Sequence, residues 1–465
     1  MTASAQTSGK HTIAIIGAGY SGALTAVNIL RNNPPASQRV VLIEKESVVG
    51  RGLAYRCWDD NLLLNVPAGN MSALADEPDH FVSYCEDIDP AFNAKSFVPR
   101  RLYGDYLEYT LTEAELSHPG VLEKLAGEAV AVIPDVIQKR YRIELASGAS
   151  LEAQQVVLAL GHFPPEPPIW ARGHLCQYIV DPWDFPRLDC LPPHMPVAIL
   201  GMGLTAIDAV FRLTSWNKNR KIYLLSRRGL LPHSHRFNPK PPPPSNYPDY
   251  LVGQPASIRA YTRALRLEVA RREAAGGNWR DVMNELRPHT PRLWQALPES
   301  EQRRFLERIV PFWDIHRHRL APSAAHRLAG LLDSGQVERI AGRILDFGLK
   351  GSHPSIRFKQ RGNERIMDLS VGATVNCTGP NYDLSRLSHP LIIRLREDGL
   401  VQQDRLKLGM LLDSNYRLIN RNSQPMPGLF YIGPMLRAKY WEAIAVPELR
   451  NHARRLARIL MCIEN

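Results

Sequence analysis

Paired cysteines are what this sequence most plainly lacks. Its six cysteines stand at positions 57, 85, 176, 190, 377 and 462, too far apart for a C-x-x-C or C-x4-C pair. That spacing argues against a zinc knuckle and a dithiol redox centre, and reads as reduced thiols in a cytoplasmic protein. Long apolar runs are missing too. Nothing approaches the roughly 20 residues that span a bilayer, so no membrane protein is expected. The polar start, Met1 to Lys10, has neither the charged nor the apolar region of a signal peptide. Nor is there a basic tail. The 57 lysines and arginines exceed the 46 acids, a net charge of +11, but they are spread along the chain. With no zinc-finger or RNA-recognition signature, nucleic acid is not the expected partner; anionic small molecules are. What remains is an ordinary globular composition over 465 residues, 44% hydrophobic and 22% charged, enough for roughly three domain-sized units.

The informative part begins at Thr12-Ile13-Ala14-Ile15-Ile16-Gly17-Ala18-Gly19-Tyr20-Ser21-Gly22. A β-branched run ends in G-x-G-x-x-G and passes into a helix-like stretch. A second run, Arg39 to Ile43, then ends in Glu44. This is a βαβ dinucleotide fingerprint. Gly17 permits the tight turn, Gly19 the approach of a pyrophosphate, and Gly22 close helix–strand packing. Ser21 sits in the first helical turn, whose free N–H groups favour an anion. Glu44 can accept the hydroxyl hydrogens of an adenosine ribose.

The pattern returns at Pro196 to Asp208, with Gly201, Gly203 and Thr205, and Ala206 in place of the third glycine. After the next strand, Lys221 to Leu225, the acid is absent. Ser226, Arg227 and Arg228 stand there instead. Arginines suit a ribose 2′-phosphate that a carboxylate would repel, so this half reads as an NADPH site; the other reading is a solvated turn.

Each half closes alike. Short strands at 128–132, 140–145 and around Leu151 lead to Val156–Gly161. Others at 340–345, 356–359 and 366–369 lead to Ala373–Gly379. Between them, Pro239 to Pro248 reads as a polyproline-II loop, and about 257–335 reads as helical, including Glu301 to Val310. The helices suit a substrate cap or a dimer surface. The expected architecture is therefore α/β: two Rossmann-like dinucleotide-binding domains, the second inserted in the first. Its parts are 1–190, 191–375 with a helical insertion at about 250–335, and 376–465.

These motifs, with Gly50-Arg51-Gly52-Leu53-Ala54-Tyr55, Leu64-Asn65-Val66-Pro67 and Phe97 to Tyr106, resemble a family of flavoproteins with two dinucleotide-binding domains. That family includes amino-acid N-monooxygenases such as aspartate N-monooxygenase. His316-Arg317-His318-Arg319, Pro427 to Pro434 and Trp441 to Glu448 extend the resemblance over nearly the whole chain outside the helical insertion. It implies FAD and NADPH as cofactors. It implies NADPH-consuming monooxygenation through a flavin C4a-hydroperoxide, most plausibly N-hydroxylation of an amine or amino acid, with O2 and a small substrate that can bear a carboxylate. A reductase or dehydrogenase without oxygenation is the alternative, and a redox sensor a third reading. The resemblance adds Gly52, Tyr55, Val130, Gly161, Gly379, Gly433, Pro434 and Trp441 to the cofactor-binding residues. Pro434 stands where relatives often carry an acid. The helix starting near Trp441 can aim its N-terminus at the flavin, or Trp441 can be a core aromatic. Asn65 is the expected catalytic residue, an amide able to donate to a peroxide oxygen, or else it bonds its own turn. No metal is expected: the arginines among His316 to Arg319 would repel one, and that cluster reads as a helix-end structure or an anion site. Baeyer–Villiger chemistry is disfavoured because Gln177, four residues after Gly173, replaces the histidine of that motif.

Overall fold

The computed structural model describes residues 10–167, 178–237, 246–351, 353–363 and 365–462. Gly173, Cys176, Gln177 and the prolines 241–244 lie outside the described residues.

The chain opens with strand β1 (His11–Ile16), the helix Tyr20–Arg31 and strand β2 (Gln38–Glu44). The β-branched runs make the strands, and every residue of the helix from Ser21 to Leu30 is buried. After the helices His80–Ile88 and Arg100–Ser117 come β3 (Leu122–Ala126), β4 (Ala129–Asp135), β5 (Arg140–Leu145), β6 (Ser150–Ala153) and β7 (Gln155–Leu158). The chain then passes through β8 (Ile179–Val180), β9 (Val197–Leu200), the helix Leu204–Trp216 and β10 (Ile222–Ser226). A helical region follows. Beyond it lie β11 (Val337–Lys350), β12 (His353–Gln360), β13 (Ile366–Ser370) and β14 (Ala373–Asn376), then β15 (Arg417–Ile419) and β16 (Pro425–Tyr431).

Two parallel-cored sheets result. One has the order β15-β16-β7-β1-β2-β3, the other β13-β12-β11-β10-β9-β14-β8. The chain leaves the first sheet after β7, builds the second from β8 to β14, and returns at β15. One nucleotide-type fold is thus inserted in another, in the α/β class expected. The pieces β4, β5 and β6 form a separate antiparallel sheet, whereas the matching β11, β12 and β13 continue the second sheet through the 14-residue β11.

The helices Ile258–Ala274, Trp279–Leu286, Thr290–Ala296, Glu299–Arg304 and Val310–Arg317 form the insertion. The helical run expected over Glu301 to Val310 is present, with a wide π turn at Phe305–Ile309 inside it. Pro311 explains the wide turn: it has no N–H to give to the carbonyl four residues back, and its ring crowds that turn. The next helix, Pro322–Asp333, packs Leu328 on the second sheet beside Val337 and Ile222, so it belongs to that sheet's crossover.

Ion pairs clamp the halves together. Arg100 meets Asp208 at 2.8 Å, and Arg212 reaches both Asp59 at 3.3 Å and Asp189 at 2.6 Å.

Candidate functional site

The two glycine turns repeat each other atom for atom. Gly17 N–H donates to Ile43 O at 2.8 Å, and Gly201 N–H to Leu225 O at 2.9 Å. Both glycines have left-handed φ, +100° and +103°. A Cβ on Gly17 would lie 2.4 Å from Ala159 O, and one on Gly201 2.3 Å from Cys377 O. Only glycine fits either turn.

Each turn delivers a helix N-terminus without a side-chain cap, at Gly19 and at Gly203. The unsatisfied N–H groups and positive dipole end of such a helix favour a phosphate. Around the first terminus the chain is drawn in closely. A Cβ on Gly19 would stand 3.2 Å from Gly52 Cα, and one on Gly52 (φ +60°) 3.1 Å from Gly19 Cα. At Gly203 a Cβ would meet nothing within 4 Å, so that face is open. Gly22 packs against the turn itself, its added Cβ falling 1.9 Å from Gly17 O. Ser21 and Ala206 are buried in the first turns of the two helices, with Thr205 half-buried.

Glu44 ends β2 with both carboxylate oxygens engaged. It accepts from Ala18 N–H at 2.7 Å, Lys45 N–H at 2.9 Å and Glu46 N–H at 3.1 Å. Oε1 accepts both from Lys45 and from Glu46, and Oε2, which accepts only from Ala18, keeps a second lone pair for a ribose hydroxyl. In the second half Ser226 Oγ accepts from Gly229 N–H at 3.0 Å. Arg227 is exposed, and Arg228 lies over the Phe312 ring at 5.1 Å. Val130 falls at the register shift of β4 on β5, between Ala129 and Ala131, without a paired residue. Gly161 and Gly379 follow β7 and β14 in left-handed conformation with open space at the Cβ position.

Next to Gly52, Arg51 is buried and ion-paired to Asp105 and, at 2.8 Å, to Glu108. Its Nη1 is buried with no partner among the described residues. Gly104 makes room for it, since a Cβ there would lie 2.8 Å from that nitrogen. Tyr55 packs edge-on against Tyr103 at 4.7 Å, and burial holds its hydroxyl up at about 12. The uncapped helix, the Gly19–Gly52 approach and the orphaned Arg51 nitrogen together fit a bound pyrophosphate.

Asn65 lies where the halves meet. Its carbonyl accepts from His235 Nε2 at 3.0 Å, and its side chain has no hydrogen bond among the described residues. Burial, then the charge of Arg319, pushes His235 down to about 3. The imidazole is therefore neutral, with its proton on Nε2 facing Asn65. Gly433 (φ +138°) leads into the turn Pro434–Leu436, where Met435 N–H donates to Tyr431 Oη at 3.0 Å.

Trp441 follows the second of its two readings, a core aromatic, and the expected helix starts later. It ends the short helix Arg437–Tyr440 at φ +57°, and the last helix starts at Val446, where Pro447 suits the first turn. Trp441 is buried against Trp294 and Phe305, both at 4.9 Å, so it is part of the insertion's aromatic cluster.

The quartet His316 to Arg319 is split among three places. His316 meets Trp279 at 4.9 Å, Arg317 pairs with Glu442 at 3.0 Å, and Arg319 donates to Asn284. His318 is half-buried beside Arg317 and Arg437; burial, then those charges, pushes it down to about 3. Sequence reasoning missed Arg437. Its guanidinium covers Trp441 at 3.9 Å and approaches Tyr382 at 5.9 Å, with a buried Nε that has no described partner. Its position just after Gly433-Pro434 was the available signal.

Residues 14–163 match the FAD-NAD(P)-binding family model, so that segment is an FAD/NAD(P)-binding domain. The chain is 25% identical over 342 residues to L-aspartate N-monooxygenase (nitrosuccinate-forming) of Streptomyces davaonensis. That match covers 59% of this chain, which spans about half (51%) of the relative's length. Among solved structures, L-lysine 6-monooxygenase from Pseudomonas syringae superposes with a TM-score of 0.66 at 16% identity, covering 98% of this chain and 100% of that one. The reduced ornithine hydroxylase from Pseudomonas aeruginosa gives 0.65 at 14% identity over 97% and 99%. The ornithine N-hydroxylase from Kutzneria sp. 744, solved with reduced FAD, NADP+ and L-ornithine, gives 0.63 at 14% over 97% and 98%. The chain therefore has the fold of these two-dinucleotide flavoproteins.

Proposed function

We propose that this chain is an FAD- and NADPH-dependent monooxygenase that N-hydroxylates a small amine or amino acid. The observation that carries the reading is the pair of uncapped, glycine-turned helix N-termini at Gly19 and Gly203, one per sheet, with Asn65 at the junction of the halves. The relative's name supports the reaction class, an N-monooxygenase. FAD, reduced by NADPH, supplies the oxygen chemistry when bound. The overall reaction balances as amine, O2, NADPH and a proton giving hydroxylamine, water and NADP+.

The chain's own residues bind and position. Gly17, Gly19, Gly22 and Gly52 take the FAD pyrophosphate, helped by the dipole of the helix Tyr20–Arg31. Glu44 holds the adenosine ribose. Gly201, Gly203 and Thr205 take the NADPH pyrophosphate, and Ser226, Arg227 and Arg228 its 2′-phosphate. The Asn65 amide is free to donate toward the reacting oxygen without adding charge. His235 fixes the Asn65 backbone and, being neutral, adds no charge either. Arg437 offers a cation beside the chain turn that closes the FAD half. Amine-dependent NADPH oxidation by the yellow, FAD-loaded protein, with hydroxylamine detected as product, tests the reading. NADPH oxidation without hydroxylamine from any amine would favour a reductase.

A further inference from the structure

The helical insertion surrounds an open-mouthed cavity of about 660 Å3 that none of the cofactor-binding residues except Trp441 lines. This is the size of pockets that hold drug-sized ligands. Its inner end is aromatic: Trp294, Phe305, Trp313 and Trp441. Its outer end lies between Trp279 and the exposed face of the helix Ile258–Ala274, where Arg266 and Glu273 stand at the rim.

Most polar atoms of the inner lining are already used. Trp294 Nε1 donates to Ala438 O at 3.0 Å, and Trp313 Nε1 to Glu442 Oε1 at 3.2 Å. Thr290 Oγ1 donates to Arg287 O at 2.7 Å, and His316 Nδ1 lies 2.7 Å from Phe312 O. What the interior offers a ligand is therefore ring faces and aliphatic surface. A carboxylate or second ammonium placed there would lose its hydration with only His316 Nε2, Trp279 Nε1 and the Tyr261 hydroxyl, and no opposite charge, to replace it. An aromatic body would gain stacking and area burial. Trp441 ties this cavity to the flavoprotein half: one neighbour is the inner wall, and another is Arg437 at 3.9 Å, beside Tyr382. Its left-handed backbone, uncommon for a bulky residue, holds the ring in that shared position.

From this geometry we propose that the cavity is the substrate-body site, and that the substrate is an amine carried on a bulky aromatic group, such as an arylalkylamine. The proposal rests on the N-hydroxylation reading for the fate of the amine, but not for the binding. The site would discriminate against short dicarboxylate or diamine substrates by leaving their second charge unsolvated.

The binding arm of the test uses the FAD-loaded full chain without NADPH, and the hydroxylation arm adds NADPH and air. Tryptamine, 1-naphthylmethylamine, L-aspartate and 1,5-diaminopentane are titrated by calorimetry. The two aromatic amines should bind and compete with each other, and the two short charged ligands should bind at least tenfold more weakly. Ala270→Phe and Thr262→Phe, which place a ring into the mouth from the helix Ile258–Ala274, should each weaken tryptamine at least tenfold at unaltered FAD occupancy. No aromatic binding, or tighter binding of the short charged ligands, would overturn the proposal. So would aromatic binding unaffected by both variants, or a bound aromatic amine that is never hydroxylated while a short charged amine is. Failure of every amine to yield hydroxylamine would count against the reaction, and the binding arm would still decide the cavity.

Discussion

Arg317 and Glu442 meet at 3.0 Å with almost no exposure, 8% and 2%, and join the helical insertion to the segment that carries Trp441. Around them Arg287 forks onto Glu448, and Trp313 donates to Glu442. Burial, then the charge of Arg287, presses Arg317 toward losing its proton, and Glu442 and Glu448 oppose that. Removing one partner strands the other. Glu442→Leu should cost about 3–5 kcal/mol of stability, as for a broken buried pair, and Arg317→Met with Glu442→Leu should recover much of it. Urea unfolding of the single and double variants checks this.

Gly19→Val tests the first cradle. Its backbone φ suits valine, so the turn should form, but the added atoms meet Gly52 and fill the pyrophosphate's approach. FAD occupancy should fall to a small fraction of wild type while the far-UV circular dichroism stays native-like. Full occupancy would remove the first motif from the FAD site.

Arg227 and Arg228 carry the choice of nicotinamide. Each charge-assisted contact to a 2′-phosphate is worth about 1.5–3 kcal/mol. Arg227→Ala with Arg228→Ala should raise KM for NADPH by at least tenfold and hardly move KM for NADH. Equal effects on both would mean a solvated turn.

Acid should weaken the fold through its half-buried histidines. His235 and His318 are held down at about 3 and His452 at about 4, chiefly by burial. The unfolded chain binds these protons from about pH 6.5 downward, and the folded chain does not. The stability they contribute is thus whole above about pH 6.5 and is lost as pH falls toward 3–4. Each adds a slope of up to ~1.4 kcal/mol per pH unit within that window. His235→Gln should flatten the slope by about one histidine's share; unfolding free energy measured between pH 7 and 5 gives it.

Much of this was legible in the chain. The runs ending at Gly17 and Gly201 could hardly form anything but strands into tight turns, and the acid-for-arginine exchange after β10 is local chemistry. The long β11 was less visible because Gly342 and Gly348 interrupt its pattern, and tertiary pairing with β12 overrides them. The helix start near Trp441 was misplaced because the left-handed residue that ends one short helix leaves no mark in composition. Arg317 and Glu442 were each conspicuous, yet nothing local says that they touch. The aromatic cavity likewise assembles from four helices, a π turn and a distant tryptophan.

The most direct test of the account is the partition of electrons in air: hydroxylamine and H2O2 formed per NADPH oxidised, for wild type and Asn65→Ala, with the anaerobic reduction rate beside them. Wild type should return most of its NADPH as hydroxylamine with a suitable amine. Asn65→Ala should reduce its flavin at nearly the wild-type rate but release H2O2, since losing one preorganised donor typically costs ~2.7–4 kcal/mol. Peroxide equal to NADPH in wild type with every amine, or anaerobic reduction slowed as much as turnover in Asn65→Ala, would contradict it.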